Sequence, residues 1–237
     1  SAAIKPGFLR LDLAKRTERA MACAYGPGEL WDEADDMLAR VCARRRPPPP
    51  SPETVRRLLQ TEKRFTNSSD VSKVADLYAT FFGKVTNVGE LNFERLEWGD
   101  ADVVELCEVL PRFAALRTLD LSENKIGPEG ASALCEALKV NAVVTTLYLG
   151  GNRIGDEGAK AIAESLKVNA VVTTLHLGVN QIGAEGAIAI AEALKVNAVL
   201  TKLDLHDNRI RPEGAKAIAE ALKVNAVVTT LFLNSNN

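Results

Sequence analysis

The chain has 237 residues, of which 46% are hydrophobic and 25% are charged, and its 29 Lys and Arg nearly balance its 31 Asp and Glu. This composition is typical of a globular protein and excludes a broadly basic surface for nucleic acid. No apolar run approaches the roughly 18 residues of a membrane span and no signal peptide is recognisable, so we expect a cytoplasmic protein without nucleic-acid or membrane-spanning contacts.

Two interpretations of residues 1–28 stay open. Their five basic side chains are compatible with the remnant of an organelle-targeting region, whereas Asp12 and Glu18 favour a loosely ordered tail. Residues 29–46 then place apolar side chains on one helical face, with Asp early and Arg late, as the helix dipole favours. This pattern predicts an amphipathic helix that packs on the chain itself or docks on another protein.

Prolines at 47–50 end that helix and favour an extended linker. A second helix is predicted to start at Ser51, and a third to run from about Ser69 to Gly83. The third helix adjoins the repeats described next and is rich in aromatic residues, so we expect it to cover their N-terminal face. We therefore divide the chain into two parts. These are a helical N-terminal segment and cap, residues 1–86, and a repeat domain, residues 87–237.

From residue 116 the sequence repeats every 28 residues. One copy reads VTTLYLGGNRIGDEGAKAIAESLKVNAV, and the next differs from it at six of 28 positions. The full copies are 116–143, 144–171, 172–199 and 200–227, preceded by a degenerate copy at 88–115 and followed by a partial copy at 228–237. Because the partial copy ends inside its strand, we expect the native chain to continue, or a partner to cover this end by end-to-end or C-terminal association.

Each copy changes its hydrophobic period partway through, which indicates a strand followed by a helix. In TTLYLG the alternation turns Leu147 and Leu149 to one side and Tyr148 to the other. In GDEGAKAIAESLKVN the apolar residues recur at helical spacing. A single copy buries too few side chains to offset the entropy of ordering it, so the copies must stack.

The frame LxxLxLxxNxI followed by a helix resembles the leucine-rich repeat of the ribonuclease-inhibitor-like type, strongly over 116–237 and weakly over 88–115. The resemblance implies an α/β leucine-rich-repeat solenoid with a parallel concave sheet and convex helices, here with a helical N-terminal cap. The asparagine of the frame is expected to bond backbone groups of its own and the neighbouring turn. It recurs as Asn124, Asn152, Asn180, Asn208 and Asn236.

No recognisable catalytic motif appears, so we expect a non-enzymatic protein without a cofactor. The four cysteines form no CxxC pair, and Cys107 and Cys135 are expected to be buried thiols. Two histidines near Asp204 make a metal site conceivable, but partner contact is the favoured interpretation. The glycines that begin the helices stand outside phosphate-binding motifs and indicate close packing of helix against sheet; they are Gly130, Gly158, Gly186 and Gly214.

The helix segments are nearly identical between copies, whereas the outward strand positions differ. A rigid surface of mixed aromatic, histidine and acidic character suits protein recognition, so we predict a protein-protein interaction module whose partner the sequence does not identify. The predicted contact residues are Asp120, Tyr148, Thr174, His176, Lys202, Asp204, His206 and Phe232.

Two alternative functions stay open. The repeat type resembles that of the activator of the nuclear-transport GTPase, which implies a GTPase-activating protein, although no residue of this chain can be given that role. Actin-filament-capping proteins also combine helical N-terminal segments with a short repeat array, which implies the second alternative.

Overall fold

The computed structural model describes residues 48–61, 72, 75, 76, 78–80, 82, 83 and 86–236. The tail at 1–28 and the amphipathic helix predicted at 29–46 lie outside the described residues, as does the predicted start of the third helix near Ser69. None of the helices within the described part of the chain is long and apolar enough to cross a membrane.

Two helical stretches precede the repeats. Helix α1 spans Pro52–Thr61 and is capped by the preceding Ser51, whose Oγ accepts the backbone N–H of Thr54 at 3.1 Å. All described residues between 72 and 83 are helical. From this second stretch Tyr78 and Phe82 enter the hydrophobic core, and the Phe82 ring lies 6.2 Å from that of Phe113 in the first repeat. The predicted helical cap is therefore confirmed.

The prolines before α1 are packed against this cap. Pro48 and Pro49 are buried, and the hydroxyl of Tyr78 donates to the carbonyl of Pro50 at 2.6 Å. Burial raises the pKa of Tyr78, which keeps the hydroxyl protonated as a donor.

Six strands of three residues each form one parallel sheet in the order β1 to β6. They are β1 Glu90–Asn92, β2 Thr118–Asp120, β3 Thr146–Tyr148, β4 Thr174–His176, β5 Lys202–Asp204 and β6 Thr230–Phe232. The helices that follow the first five strands are α2 Asp100–Val109, α3 Pro128–Val140, α4 Gly155–Leu166, α5 Ala184–Leu194 and α6 Arg211–Leu222. A short 3₁₀ turn at Leu110–Arg112 extends α2. Every strand pairs with the next at a shift of one repeat, as the sequence predicts.

The curvature follows from the different widths of the two layers. Neighbouring strands lie about 4.8 Å apart, whereas helices pack at about 8–10 Å. The sheet therefore lines the inner side of the bend and the helices the outer side. The central leucine of each strand from Leu91 to Leu203 is at most 4% exposed and packs on the helices, which gives the solenoid its continuous core.

Buried asparagines connect each repeat to its neighbours. The Nδ2 of Asn180 donates to the carbonyls of Leu177 in its own turn and Leu149 in the preceding repeat, at 3.1 and 2.8 Å. The Oδ1 of Asn208 accepts the N–H of Asn180 and Ile182 at 3.0 and 2.9 Å. The predicted asparagine ladder is confirmed. These side chains satisfy backbone groups that would otherwise be buried without partners.

Two further kinds of hydrogen bond between repeats were not predicted. The Nδ2 of Asn197 donates to the carbonyl of Leu166 at the end of α4, and Asn141 and Asn225 make the equivalent bond. At the other end of the helices, Asp156 Oδ1 accepts the N–H of Gly183 and Gly186 at 2.7 and 2.8 Å. A carboxylate from one repeat thus caps the helix of the next.

The repeated glycines do mark close packing, but the neighbour differs from the expected one. A Cβ at Gly186 would lie 2.8 Å from the Cβ of Ala159 on the preceding helix and 2.8 Å from Cγ2 of Ile182. The close approach is therefore to the preceding helix and the loop, and not to the sheet. Helices this close need a residue without a side chain at the point of contact.

Candidate protein-binding face

The side chains on the inner side of the bend form what we call the outward sheet face. Its central column consists of Asn92, Asp120, Tyr148, His176, Asp204 and Phe232, which are register partners on successive strands. Thr174 and Lys202 belong to the column two residues before, and His206 to the column two residues after. The structure thus places all eight predicted contact residues on one face, and their role as partner contacts stays a prediction.

Four of these side chains form a connected group. The rings of Tyr148 and His176 stack with their centroids 4.5 Å apart and their planes at 29°. His176 Nδ1 donates to Asp204 Oδ2 at 3.3 Å, and His206 Nδ1 donates to Asp204 Oδ1 at 2.8 Å. The backbone N–H of His206 also donates to Asp204 Oδ1, at 2.9 Å. Asp204 therefore holds both imidazole rings, one of which supports the tyrosine.

The carboxyl of Asp204 is 14% exposed, and its ionised form is stabilised by its donors. Burial raises the pKa of this carboxyl, but the backbone N–H and ring of His206 and the ring of His176 together outweigh burial. The pKa of Asp204 is consequently below its ordinary value. Hydrogen bonds to the charged form thus fix the centre of the group.

Two glycines in the column two residues after the central one, Gly150 and Gly178, shape the surface beside this group. The ring of His206 lies over Gly178, where a Cβ would come within 2.1 Å of the imidazole Cε1. Any side chain at position 178 would therefore displace His206 from Asp204. Gly150 faces open space, because a Cβ there would meet only the carbonyl of Gly178 at 3.6 Å.

The remaining predicted residues lie around the connected group. Phe232 is 48% exposed on the last strand, and no strand follows it in the described chain. Lys202 is exposed and forms no ion pair with any described residue. Thr174 is half-buried beside it. Asp120 Oδ1 accepts the N–H of Ser122 at 2.9 Å, which fixes the carboxylate at the edge of the turn.

A second feature, which the sequence did not predict, lies at the loops after the strands. A recess of about 500 Å³ is lined by residues of four successive loops, including Glu123, Arg153, Val179, Asp207 and Arg209. Glu123, Val179 and Asp207 share the same frame position and have φ of 56°, 57° and 48°. The only sequence signal for this left-handed turn was the glycine at the same position in one copy, Gly151.

The histidines and cysteines that were considered for a metal site or a reactive thiol show no such arrangement among the described residues. Within the described residues, no group of three or more His, Cys, Asp or Glu is placed to hold a metal ion. His176 and His206 both direct Nδ1 at Asp204. Cys135 is buried, as predicted, whereas Cys107 is only half-buried. Burial raises the pKa of both to about 12, so both thiols stay protonated.

Comparison with known proteins agrees with this architecture. A leucine-rich-repeat family model matches residues 115–135, 140–163, 168–191 and 196–219. Among solved structures, leiomodin-1 actin-binding site 2 is similar with a TM-score of 0.51 and 31% identity, covering 54% of this chain and 76% of that one. A tropomodulin C-terminal domain from Caenorhabditis elegans is similar with a TM-score of 0.50 and 14% identity, covering 74% of this chain and 93% of that one. At this lower identity the similarity shows a shared fold alone. No curated protein gives a significant match.

Proposed function

The chain belongs to the leucine-rich-repeat proteins, and from this we propose that it is a protein-binding module whose partner docks across the outward sheet face. The observation that carries the proposal is the connected group around Asp204. A tyrosine ring, two imidazoles and a carboxylate are held in one arrangement on this face. The expected cytoplasmic location stays a prediction.

The rigidity of this group favours binding. An interface loses affinity when flexible side chains must be ordered, at about 0.5–1.5 kcal/mol for each one. Tyr148 is already supported by His176, and His176 by Asp204. Tyrosine is also among the residues that most often dominate the affinity of an interface. A partner that covers Tyr148 therefore gains contact area at low entropic cost.

The outward sheet face can be tested by capture. The intact chain is used as bait, and the proteins it retains are identified by mass spectrometry and compared between variants. We expect Tyr148→Ala with His176→Ala to weaken retention of the main partner by about thirtyfold or more, since loss of interface anchors commonly costs at least about 2 kcal/mol.

A matched control changes the helical side. Lys195→Ala with Lys216→Ala removes two exposed charges, and Lys195 forms only a surface ion pair with Glu192. An exposed ion pair of this kind contributes about 0–1 kcal/mol to any free energy in which it takes part. Its removal should therefore change the affinity of capture by less than about fivefold. Loss of capture in the control variant alone would show that the partner binds the helices, which would contradict the proposal.

Actin binding is a second candidate function. The observation that favours it is the 31% identity to a leiomodin-1 segment that is named an actin-binding site. Co-sedimentation of the intact chain with actin filaments tests binding, and the rate of filament elongation from preformed seeds tests capping. Absence of the chain from the filament pellet would exclude this candidate. Neither similar structure bears on the GTPase-activating alternative, which stays a prediction.

A further inference from the structure

The outward sheet face contains a notch above Asp120. An aspartate side chain is much shorter than a tyrosine, so Asp120 on β2 leaves space beside the ring of its register partner Tyr148 on β3. On the other side Asp120 pairs with Asn92 on β1, which is also short and is exposed. The notch thus has a carboxylate as its floor and an aromatic ring as one wall.

A second aspartate of the same column shows how such a carboxylate is satisfied. Asp120 and Asp204 both accept the backbone N–H two residues later through Oδ1, at 2.9 Å in each case. In Asp204 the second oxygen, Oδ2, accepts from the ring of His176 on the preceding strand. The residue at that place relative to Asp120 is Asn92, and no described side chain donates to Oδ2 of Asp120. One acceptor of this carboxylate is therefore open.

The wall of the notch is also open on the side that faces Asp120. One face of the Tyr148 ring is covered by His176, which lies on β4. The opposite face is directed toward β2. A planar group can therefore bind against the tyrosine from this side, in the way that the imidazole does from the other.

The charges nearby favour a cation. Glu90, on β1, is exposed and forms no ion pair with any described residue. Lys202, on the same face, is three strands away from Asp120, roughly 14 Å at ordinary strand spacing. The acidic residues at the β1–β2 end of the outward sheet face are Glu90, Glu94 and Asp120. Of these only Glu94 has an ion-pair partner, Arg95 at 3.2 Å, and the exposed Arg117 before β2 forms no ion pair with a described residue, so Glu90 and Asp120 are left unpaired.

We propose that this notch anchors an arginine side chain of the protein partner. The planar guanidinium donates to Oδ2 of Asp120 and stacks on the open face of Tyr148, two interactions that arginine combines in one group. The partner is accordingly a protein that presents a basic segment to the β1–β2 end of the sheet. This inference rests on the proposed function, because it names what the outward sheet face recognises.

The test is a titration of the full, ¹⁵N-labelled chain followed by NMR. The probe is the blocked tripeptide Gly-Arg-Gly, and the control peptide replaces arginine by citrulline, which keeps the planar shape and removes the charge. We expect saturable shifts of the Ser122 and Tyr148 amides with the arginine peptide, and at least about threefold weaker binding of the citrulline peptide, as loss of a surface charge pair predicts.

Variants locate the site. Asp120→Asn keeps the shape and removes the charge, and Tyr148→Leu removes the aromatic wall, so each should weaken binding of the arginine peptide by about threefold or more. Glu157→Gln on α4 is the control, because it removes an exposed acidic charge far from the notch, and it should leave binding unchanged.

Three outcomes would overturn the inference. They are no binding up to the solubility of the peptide, equal binding of the citrulline peptide, and shifts centred on Glu123 or Asp207 that survive in Asp120→Asn. None of these three outcomes contradicts the proposed function. That function fails only if capture of the main partner does not depend on Tyr148 and His176.

Discussion

At the scale of single residues, Val179 adopts a backbone conformation that valine rarely tolerates. Its φ is 57°, and the same position in the other copies is filled by Arg95, Glu123, Gly151, Asp207 and Ser235, none of which is β-branched. A β-branched side chain at positive φ is strained, whereas glycine and asparagine adopt this region readily. The valine is also 43% exposed, so little burial offsets the strain.

We therefore predict that Val179→Asn stabilises the protein by about 1 kcal/mol, measured from the midpoint of urea unfolding. Val196→Asn is the matched control, since Val196 is 62% exposed and is not among the described residues with positive φ. It should not raise the midpoint. Equal effects of the two substitutions would mean that the gain comes from replacing any exposed apolar side chain by a polar one, which would contradict the strain argument.

The second prediction at this scale concerns Asp204 and pH. Because the pKa of Asp204 is lowered by folding, its ionised form stabilises the native state at pH above the unfolded-state value of about 4. This contribution is lost as the pH falls through the folded-state pKa. We expect Asp204→Asn to be less stable than the parent at neutral pH and the difference to shrink at pH below about 4. A difference in unfolding free energy that does not vary over this range would contradict the assignment.

At the scale of elements, the turns after the strands are held together by buried asparagines. Asn180 is fully buried, and its Nδ2 donates to three carbonyls, those of Leu149, Leu177 and Gly178. Each of these carbonyls also accepts from a second donor, namely the Nδ2 of Asn152, the Nδ2 of Asn208 or the N–H of Gly151. The N–H of Ile154, by contrast, donates to Asn180 Oδ1 and would lose this acceptor. A buried polar group left without its partner costs about 1–3 kcal/mol.

We predict that Asn180→Ala lowers the free energy of unfolding by about 1–3 kcal/mol, because the buried N–H of Ile154 loses its acceptor and three carbonyls lose one of their two donors. The control is Asn236→Ala, at the same frame position in the last copy. Asn236 makes equivalent bonds to Leu205 and Leu233 but is only half-buried, so water can replace it. Its loss should cost less than about 1 kcal/mol, as urea titrations of both variants would show. Similar costs for the two would show that burial does not set the value of this bond.

At the scale of the whole molecule, each repeat is stabilised by contact with its neighbours. The two ends of the described chain differ in how far such contacts cover them. The first repeat is covered by the cap through Tyr78 and Phe82. The last strand pairs only with β5, and Leu231 and Leu233 are half-buried. In a linear array each repeat is stabilised by its neighbours, so the β6 end should open first.

Hydrogen exchange tests this asymmetry. The N–H of Leu177 donates to Asp204 and that of Leu205 donates to Phe232, each on the following strand. The N–H of Leu233 has no such acceptor among the described residues. We expect the Leu233 amide to exchange at least about a hundredfold faster than that of Leu177, with Leu205 in between. Equal protection at all three would mean that this end is covered in solution.

The candidate site could be predicted from the sequence only in part. The 28-residue period assigned Tyr148, His176 and Asp204 to one column, because a parallel sheet in register aligns equivalent positions. It did not show that His206 turns back to Asp204 across Gly178, or that one oxygen of Asp120 stays open. These contacts depend on side-chain rotamers, and the repeat pattern carries no information on them.

The sequence alone determined the strands, the helices, the buried leucines and the asparagine ladder. It could do so because each repeat packs on a near copy of itself, so that one local pattern specifies both sides of every interface. Only the tertiary structure decided which groups meet between repeats. Examples are Asp156 capping the next helix at Gly183, and the recess bounded by Arg153 and Arg209. These contacts join residues about one or more repeats apart, and their geometry is set by the curvature that the unequal widths of helix and strand impose on the stack.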